Sequence, residues 1–359
     1  MTDYSERYQT FWDWFKTEEQ SFHAIIMEGD NSTIEKEVLD PIIEHLKLVD
    51  GDLQALLGDA GNRMAELIVT PDGRVTSIVF AEELIAHAPQ DLPHWRFIAL
   101  KPAMKEQIPE MAIKMHGYEF SPANIQFHPV VYEDFPDEVE VIFTHKDMNE
   151  DNKGNITQGV FIFLDNYFGE MNMVTRIDFA DVCAPNEVEG ELIPIQKLDS
   201  YLKWRESEFL EKTKDIYYDD SEDSFQALEG NSEQGRIVAV ANQDVLQWEG
   251  KSSYPWMLAL ELSFPENLST DALFNLLNQI EDEIEEEINQ VFQDKKEMVF
   301  VCRETIPNLR TIFYACKDFR KATKIVDGIC QKYQQEIDSS FDIYKDKYWR
   351  SVERFNILG

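Results

Sequence analysis

The apolar positions of the chain keep two different rhythms in its two halves. Near the start, Tyr4, Tyr8, Phe11, Trp12 and Phe15 fall on one helical stripe. Thr17-Glu18-Glu19-Gln20 and Ser32-Thr33-Ile34-Glu35 match the capping-box pattern, which satisfies two orphan amide donors at a helix start. A helix after the second box carries Ile34, Val38, Ile42 and Leu46, with Pro41 as a kink. Strands are expected over 66–69 and 75–80. Between them Thr70-Pro71-Asp72-Gly73 reads as a hairpin turn, because proline pre-sets one dihedral and glycine accepts a positive one. A short helix over 81–87 and strands over 95–100, 111–115, 125–131 and 138–144 follow. A buried helix over 156–168, a strand over 173–179 and an amphipathic helix over 198–210 close this half. The pattern predicts an α+β domain over 1–213 with an antiparallel or mixed sheet.

Residues 214–235 change character, with Asp215, Asp219, Asp220, Glu222, Asp223, Glu229 and Glu233 against Lys214 alone. Like charge and few large apolar groups predict an exposed acidic linker. Beyond it, over 236–359, the order reads β-β-α-β-β-α-β. Its strands lie over 237–241, 256–262, 298–302, 311–316 and 339–344. Its first helix is capped by Ser269 and its second spans 319–333. Without the leading strand the order is β-α-β-β-α-β, which predicts a ferredoxin-like carboxy-terminal domain. In such a fold both helices cover one sheet face. The other face is then expected to meet the amino-terminal domain, a second subunit or a partner.

The first of those helices is the most acidic stretch of the chain. Leu273, Leu276, Leu277, Ile280, Ile284, Ile288 and Val291 share one face. Glu281, Asp282, Glu283, Glu285, Glu286 and Glu287 occupy the rest. Each like-charge pair one turn apart costs roughly 0.2–0.5 kcal/mol. Each buried Ile or Leu contributes about 1.5–3 kcal/mol, so packing wins. Carboxylates splayed around one helix do not converge as calcium or magnesium requires, so no metal is expected there. Most such faces are simply solvated. If the face has a further role, Glu281, Asp282, Glu285 and Glu286 are the candidate partner-binding residues.

Charge extends this picture to the whole molecule. The 359 residues carry 69 acids and 33 bases, a net −36. Such a surface repels phosphate backbones and anionic lipid, which argues against direct nucleic-acid or membrane binding. It favours a basic protein partner steered in at long range. The start of the chain lacks a basic segment followed by an apolar run, and no stretch approaches a membrane span. Cys183, Cys302, Cys316 and Cys330 form no C-x-x-C pair, and free thiols in a cytoplasmic protein fit best.

Sequence motifs for chemistry are sparse, and no cofactor is expected. Asp147 to Gly154 resembles the start of a calcium loop. The required glycine and glutamate are replaced by Asn152 and Gln158, and a polar helix-capping turn fits better. Gly250-Lys251-Ser252 mimics the end of a phosphate loop, but Val245 stands where its first glycine belongs. Cys302, Cys316 and Cys330 read as buried small hydrophobes. His94, His116, His128 and His145 lie near predicted strand ends. A hydrolase site assembled from His116, His128, His145 and Asp147 is therefore the enzymatic alternative. A structural or oligomerising module is the third reading.

The carboxy-terminal half carries Tyr254-Pro255-Trp256, Glu281-Asp282-Glu283, Phe313-Tyr314 with Asp318, Asp346 with Trp349, and Phe355. In this order the residues resemble the bacterial domain of unknown function 695 family over about the last 120 residues. Phe11 to Phe15, Trp95 to Pro102 and Gly159 to Asp165 resemble its long, two-domain members. Thr305 to Arg310 departs from the glycine-rich turn of those relatives. The resemblance implies no established activity. Some relatives place this domain beside one similar to the regulator B of ribonuclease E, which implies regulation by protein contact. Trp256, Asp318, Asp346, Trp349 and Phe355 carry the motif and read as structural, with Asp346 capping a terminal helical turn. The leading expectation is a non-enzymatic regulator, inhibitor or immunity-type protein.

Overall fold

The structure is a computed structural model, and it describes residues 4–221, 223–232, 235–264, 270–293 and 295–357. It is an α+β chain whose described residues form four sheets. It divides into two compact units, Asp3–Ser207 and Glu208–Gly359.

In the first unit the aromatic stripe is core. The helix Ser5–Glu28 buries Tyr8, Phe11, Trp12 and Phe15. Phe15 meets Trp95 and Phe97 at centroid distances of 4.9 and 5.6 Å. The Trp12 indole donates to the Leu84 carbonyl at 2.8 Å. Thr17 starts no helix. It lies inside this one, and its hydroxyl donates to the Trp14 carbonyl. The next helical start is capped by Asp30, which accepts from the Thr33 amide at 2.9 Å, and not by Ser32. A π turn, Glu35–Leu39, precedes Asp40–Leu46, so Pro41 opens a new α segment where a first-turn proline loses no bond.

The expected hairpin is absent. Ala65–Thr70 pairs antiparallel with Gln54–Asp59, a strand the hydrophobic pattern did not reveal, and parallel with Trp95–Ala99. Val75–Ala86 is the helix that crosses between the parallel pair, as such a pair requires. Thr76 through Ala81 are all buried. A short apolar run buried on every side reads alike in a strand and in a core helix, which is why periodicity misplaced it. The second large sheet orders Phe179–Cys183, Glu140–His145, Ile125–Val130 and Ile193–Pro194 around a core of Phe127, Phe143, Phe163 and Leu164. The expected strand over 173–179 is instead the helix Glu170–Arg176, set off from Lys153–Phe168 by Gly169 at φ 85°. A Cβ there would meet the Ala103 amide nitrogen at 2.9 Å.

The second unit is one six-stranded sheet. Its order is Phe225–Ser232, Gly235–Asn242, Met298–Ile306, Leu309–Cys316, Trp256–Ser263, Asp338–Lys345. Every pair in it is antiparallel. Phe225–Ser232 lies within the expected linker. Its large exposed positions suit an edge strand, where charge is tolerated and even protective. The helices Thr270–Phe292 and Phe319–Tyr333 cover one face of the sheet. Ser269, the expected cap of the first, lies outside the described residues. Asp318 caps the second by accepting from the Arg320 amide.

The opposite face does not wait for another molecule. Val245 and Leu246, then Trp349, Val352 and Phe355, pack on Met257, Cys302, Phe313 and Ala315. Further along the same face Glu261, Ser340 and Asp342 are exposed and polar. The chain's own tail closes the apolar half of this face, and polarity suits the remainder to water. Asp346 holds the tail turn Arg350–Phe355 by accepting from the Arg350 and Ser351 amides, both at 2.9 Å. Trp349, at φ 56°, donates its indole N–H to the Tyr254 carbonyl.

Candidate functional site

The antiparallel strands Phe225–Ser232 and Gly235–Asn242 extend the four helix-covered strands by two. Cross-strand register puts Val240 opposite Arg303, and Phe300 opposite Tyr314, on the side that carries the acidic helix. The added strands run past that helix and form a ledge beside it. The result is a cleft of about 530 Å³. Phe225, Val240, Phe300 and Tyr314 line its floor, and Glu281, Asp282 and Glu285 its helical wall. Asp220 and Asp223 approach from the segment before the ledge, and Lys296 and Arg303 supply its two cations.

The four residues expected to form an acidic face have separate fates. Glu281 leaves the surface. Its carboxylate is paired with Arg303, and with the Arg310 guanidinium at 2.6 Å. The Glu281 and Arg310 side chains are 12% and 10% exposed. Burial penalises the Arg310 charge, and Glu281 answers it. Glu285 accepts from Lys296 at 2.6 Å, and the same ammonium reaches Asp220 at 2.5 Å. Burial opposes the Lys296 charge, but the two carboxylates prevail and raise its pKa. Glu286 is exposed beside Gln290. Asp282 is exposed, with no partner among the described residues. Glu283, outside the expected set, takes Lys332 and the Tyr333 hydroxyl at 2.5 and 2.7 Å. Three of the acids therefore neutralise the protein's own cations, because a tertiary fold places strand and helix cations where helix periodicity cannot see them.

Asp223 anchors the cleft's end, accepting from the Tyr218 hydroxyl at 2.5 Å and the Asn242 amide at 2.7 Å. Burial raises its pKa ahead of those bonds. Sequence reading missed Tyr218, Phe225, Phe300 and Tyr314 as lining. The available signal was a phenylalanine in the middle of an acidic segment, a poor fit to a solvated linker.

The first unit holds a second concentration of charge, also missed. Glu170 is fully buried. It accepts from the Thr70 hydroxyl at 2.6 Å, the Gly73 amide at 2.6 Å and the Lys101 amide at 3.1 Å. These donors sit at the ends of the two parallel strands, where the backbone takes positive φ at Asp72, Gly73 and Leu100. The Lys101 ammonium pairs with Asp72 and stands 3.9 Å from Asp165. Burial pushes the Asp165 carboxyl up to about 6, with Lys101 opposing. Backbone donors close around Glu170, so this is a staple joining the strand ends to Glu170–Arg176.

His116, His128 and His145, named for the enzymatic alternative, each hydrogen-bond to a group outside that set. Buried His145 uses both ring nitrogens, one on the Glu119 carbonyl at 2.9 Å and one accepting from the Asp147 amide at 3.2 Å. His116 contacts Gln158, and His128 contacts the Glu191 carbonyl. His94 lies against His23, 5.1 Å between centroids. The 147–154 segment is a capping turn before Lys153–Phe168, in which the Asn152 side chain accepts from the Asn149 amide and the Asn149 side chain from the Asp151 amide. Among the described residues no three His, Cys, Asp or Glu side chains group as metal ligands. The cysteines are free, and burial raises the Cys302 and Cys316 thiols above their ordinary range. Cys330 is only partly buried, and its thiol is pushed up to about 11. Among the described residues no helix is long and apolar enough to cross a membrane. No family model matches the chain, and neither a curated protein nor a solved structure matches it.

Proposed function

We propose that this chain is a non-enzymatic, protein-binding regulator or inhibitor that takes a basic partner through its carboxy-terminal unit. On this reading that unit is a ferredoxin-like domain. Its helices and four strands follow the β-α-β-β-α-β order, and Phe225–Ser232 with Gly235–Asn242 is an added edge. The resemblance to the domain of unknown function 695 family, with its regulatory neighbours, points the same way as analogy.

One observation carries the proposal. The chain has 69 acids and 33 bases, so at least 36 acids have no basic side chain of their own, however the internal pairs form. In the second unit that surplus borders an open cleft with aromatic lining. A negative field of this size accelerates encounter with a positively charged protein and weakens with salt. Affinity capture with the full chain at about 50 mM and about 300 mM salt tests the reading, since surface attraction fades over this range. Recovered proteins should be basic at low salt and lost at high salt. Partners that ignore ionic strength, or none at all, overturn it. Light scattering on the same sample separates this reading from self-association, which would raise the mass without any foreign protein.

A further inference from the structure

The cleft beside the acidic helix has a chemistry narrower than negative charge. Its floor carries an aromatic row. Phe225 stands 6.1 Å from Phe300, and Phe300 stands 5.8 Å from Tyr314 in an edge-on arrangement. Phe225 is 55% exposed, unusual for a ring that could fold into a core. Tyr314 is 2% exposed and lines the cleft, yet its hydroxyl has no hydrogen-bond partner among the described residues. The hydroxyl of this otherwise buried ring therefore keeps its hydrogen-bonding capacity for whatever occupies the cleft. Around the row stand five carboxylates, Asp220, Asp223, Glu281, Asp282 and Glu285, against Lys296 and Arg303, a formal −3.

These features select among cations. A lysine ammonium is compact and strongly hydrated. A guanidinium is flat, more weakly hydrated, stacks on aromatic rings and presents forked N–H donors to carboxylates. The protein already uses that chemistry here, with Arg303 and Arg310 both on Glu281. We infer that the cleft receives an arginine side chain of the basic partner, its plane against Phe225 and Phe300 and its N–H groups donating to Asp282 and to the Tyr314 hydroxyl oxygen. This assignment rests on the proposed binding of a basic protein and names the contact that would recognise it.

The test uses the full chain and a fluorescein-labelled nonapeptide of alternating arginine and glycine, read by anisotropy. Companion peptides carry lysine or citrulline in place of arginine, and spermine serves as a free polyamine competitor. The arginine peptide should bind about tenfold more tightly than the lysine peptide, and the uncharged citrulline peptide should not bind. Tyr314→Phe removes a hydroxyl that bonds to nothing in the fold, so the variant keeps its structure, and arginine-peptide binding should weaken about fivefold. Phe225→Ser and Asp282→Asn change exposed side chains and should each weaken it about tenfold. Glu336→Gln makes the same charge change as Asp282→Asn on another exposed position of this unit and should alter binding less than twofold. If the arginine and lysine peptides bind alike, or Glu336→Gln matches Asp282→Asn, a diffuse field does the binding. The arginine site is then wrong while the basic-partner proposal stands. Spermine that binds more tightly than the arginine peptide makes this a polyamine site and also overturns the inference. No binding by any cationic peptide removes the inference and the proposal together.

Discussion

Glu170 in the amino-terminal unit and Glu281 in the carboxy-terminal unit are both withdrawn from water, and different chemistry satisfies them. Glu170 accepts from two backbone amides and a hydroxyl. Glu281 is held by two guanidinium groups on neighbouring strands. Backbone donors have fixed positions and serve no second ligand, so the Glu170 site is closed. Side-chain cations neutralise one carboxylate at the base of a groove and leave its other carboxylates facing out. Burial of an acid therefore marks a staple in one unit and the inner wall of an open cleft in the other. The partner atoms decide which.

Breaking the staple should have the largest effect. Glu170→Ala leaves the buried Thr70 hydroxyl and two part-buried amides unpaired, at up to about 1–3 kcal/mol each, enough to destabilise much of the unit. Hydrogen exchange at the Gly73 and Lys101 amides reads it directly, and full retention of their protection would contradict the staple. Glu281→Leu comes next. It strands Arg310 without its counter-ion, at about 3 kcal/mol. Adding Arg310→Met should recover most of that loss in urea unfolding. A double variant as unstable as the single one would show that Glu281 matters for something other than the pair.

Asp165 sharpens the contrast through pH. Its carboxyl sits at about 6 in the folded state against an ordinary 3.8. The folded chain therefore holds the proton more tightly, and the contribution of this group to stability falls as pH rises from about 4 to about 6. Asp165→Asn should gain up to about 3 kcal/mol at pH 8 and almost nothing at pH 4, as a difference in urea unfolding free energy. An equal gain at both pH values would remove burial of the charge as the cause. The smallest effect belongs to the ledge's outer rim. Arg236 and Glu229 pair there at 2.7 Å with both side chains 65% exposed. Arg236→Ala should change stability by less than about 0.5 kcal/mol.

Legibility followed the range of the interaction that formed each feature. The aromatic stripe Tyr8 to Phe15 and the apolar face Ile280, Ile284, Ile288 were readable because a helix repeats every few residues and both stripes are buried. The tail turn held by Asp346 was readable because its donors lie within a few residues. Val75–Ala86 was misread because nothing local distinguishes a core helix from a strand when every side is apolar. Glu170–Arg176 was misread because its decisive contacts lie at Thr70, Gly73 and Lys101, far away in the chain. The ledge strand was misread as a linker because an edge strand, wet on most of its surface, lacks the alternation that burial imposes.

By itself the order of residues determined the two halves, the repeating apolar stripes, and an acid surplus that no internal pairing can remove. Those are properties of composition and short-range periodicity, and they survive any arrangement of the elements. Only the tertiary structure decided which acids meet Arg303, Arg310, Lys296 and Lys332 and which face water. It also decided that two added strands would extend the sheet beside the acidic helix, with Tyr314 lining the cleft between them. The physical reason is distance. Charge pairing and desolvation act over a few ångströms in space between groups separated by tens of residues in the chain, and a one-dimensional pattern contains no record of that proximity.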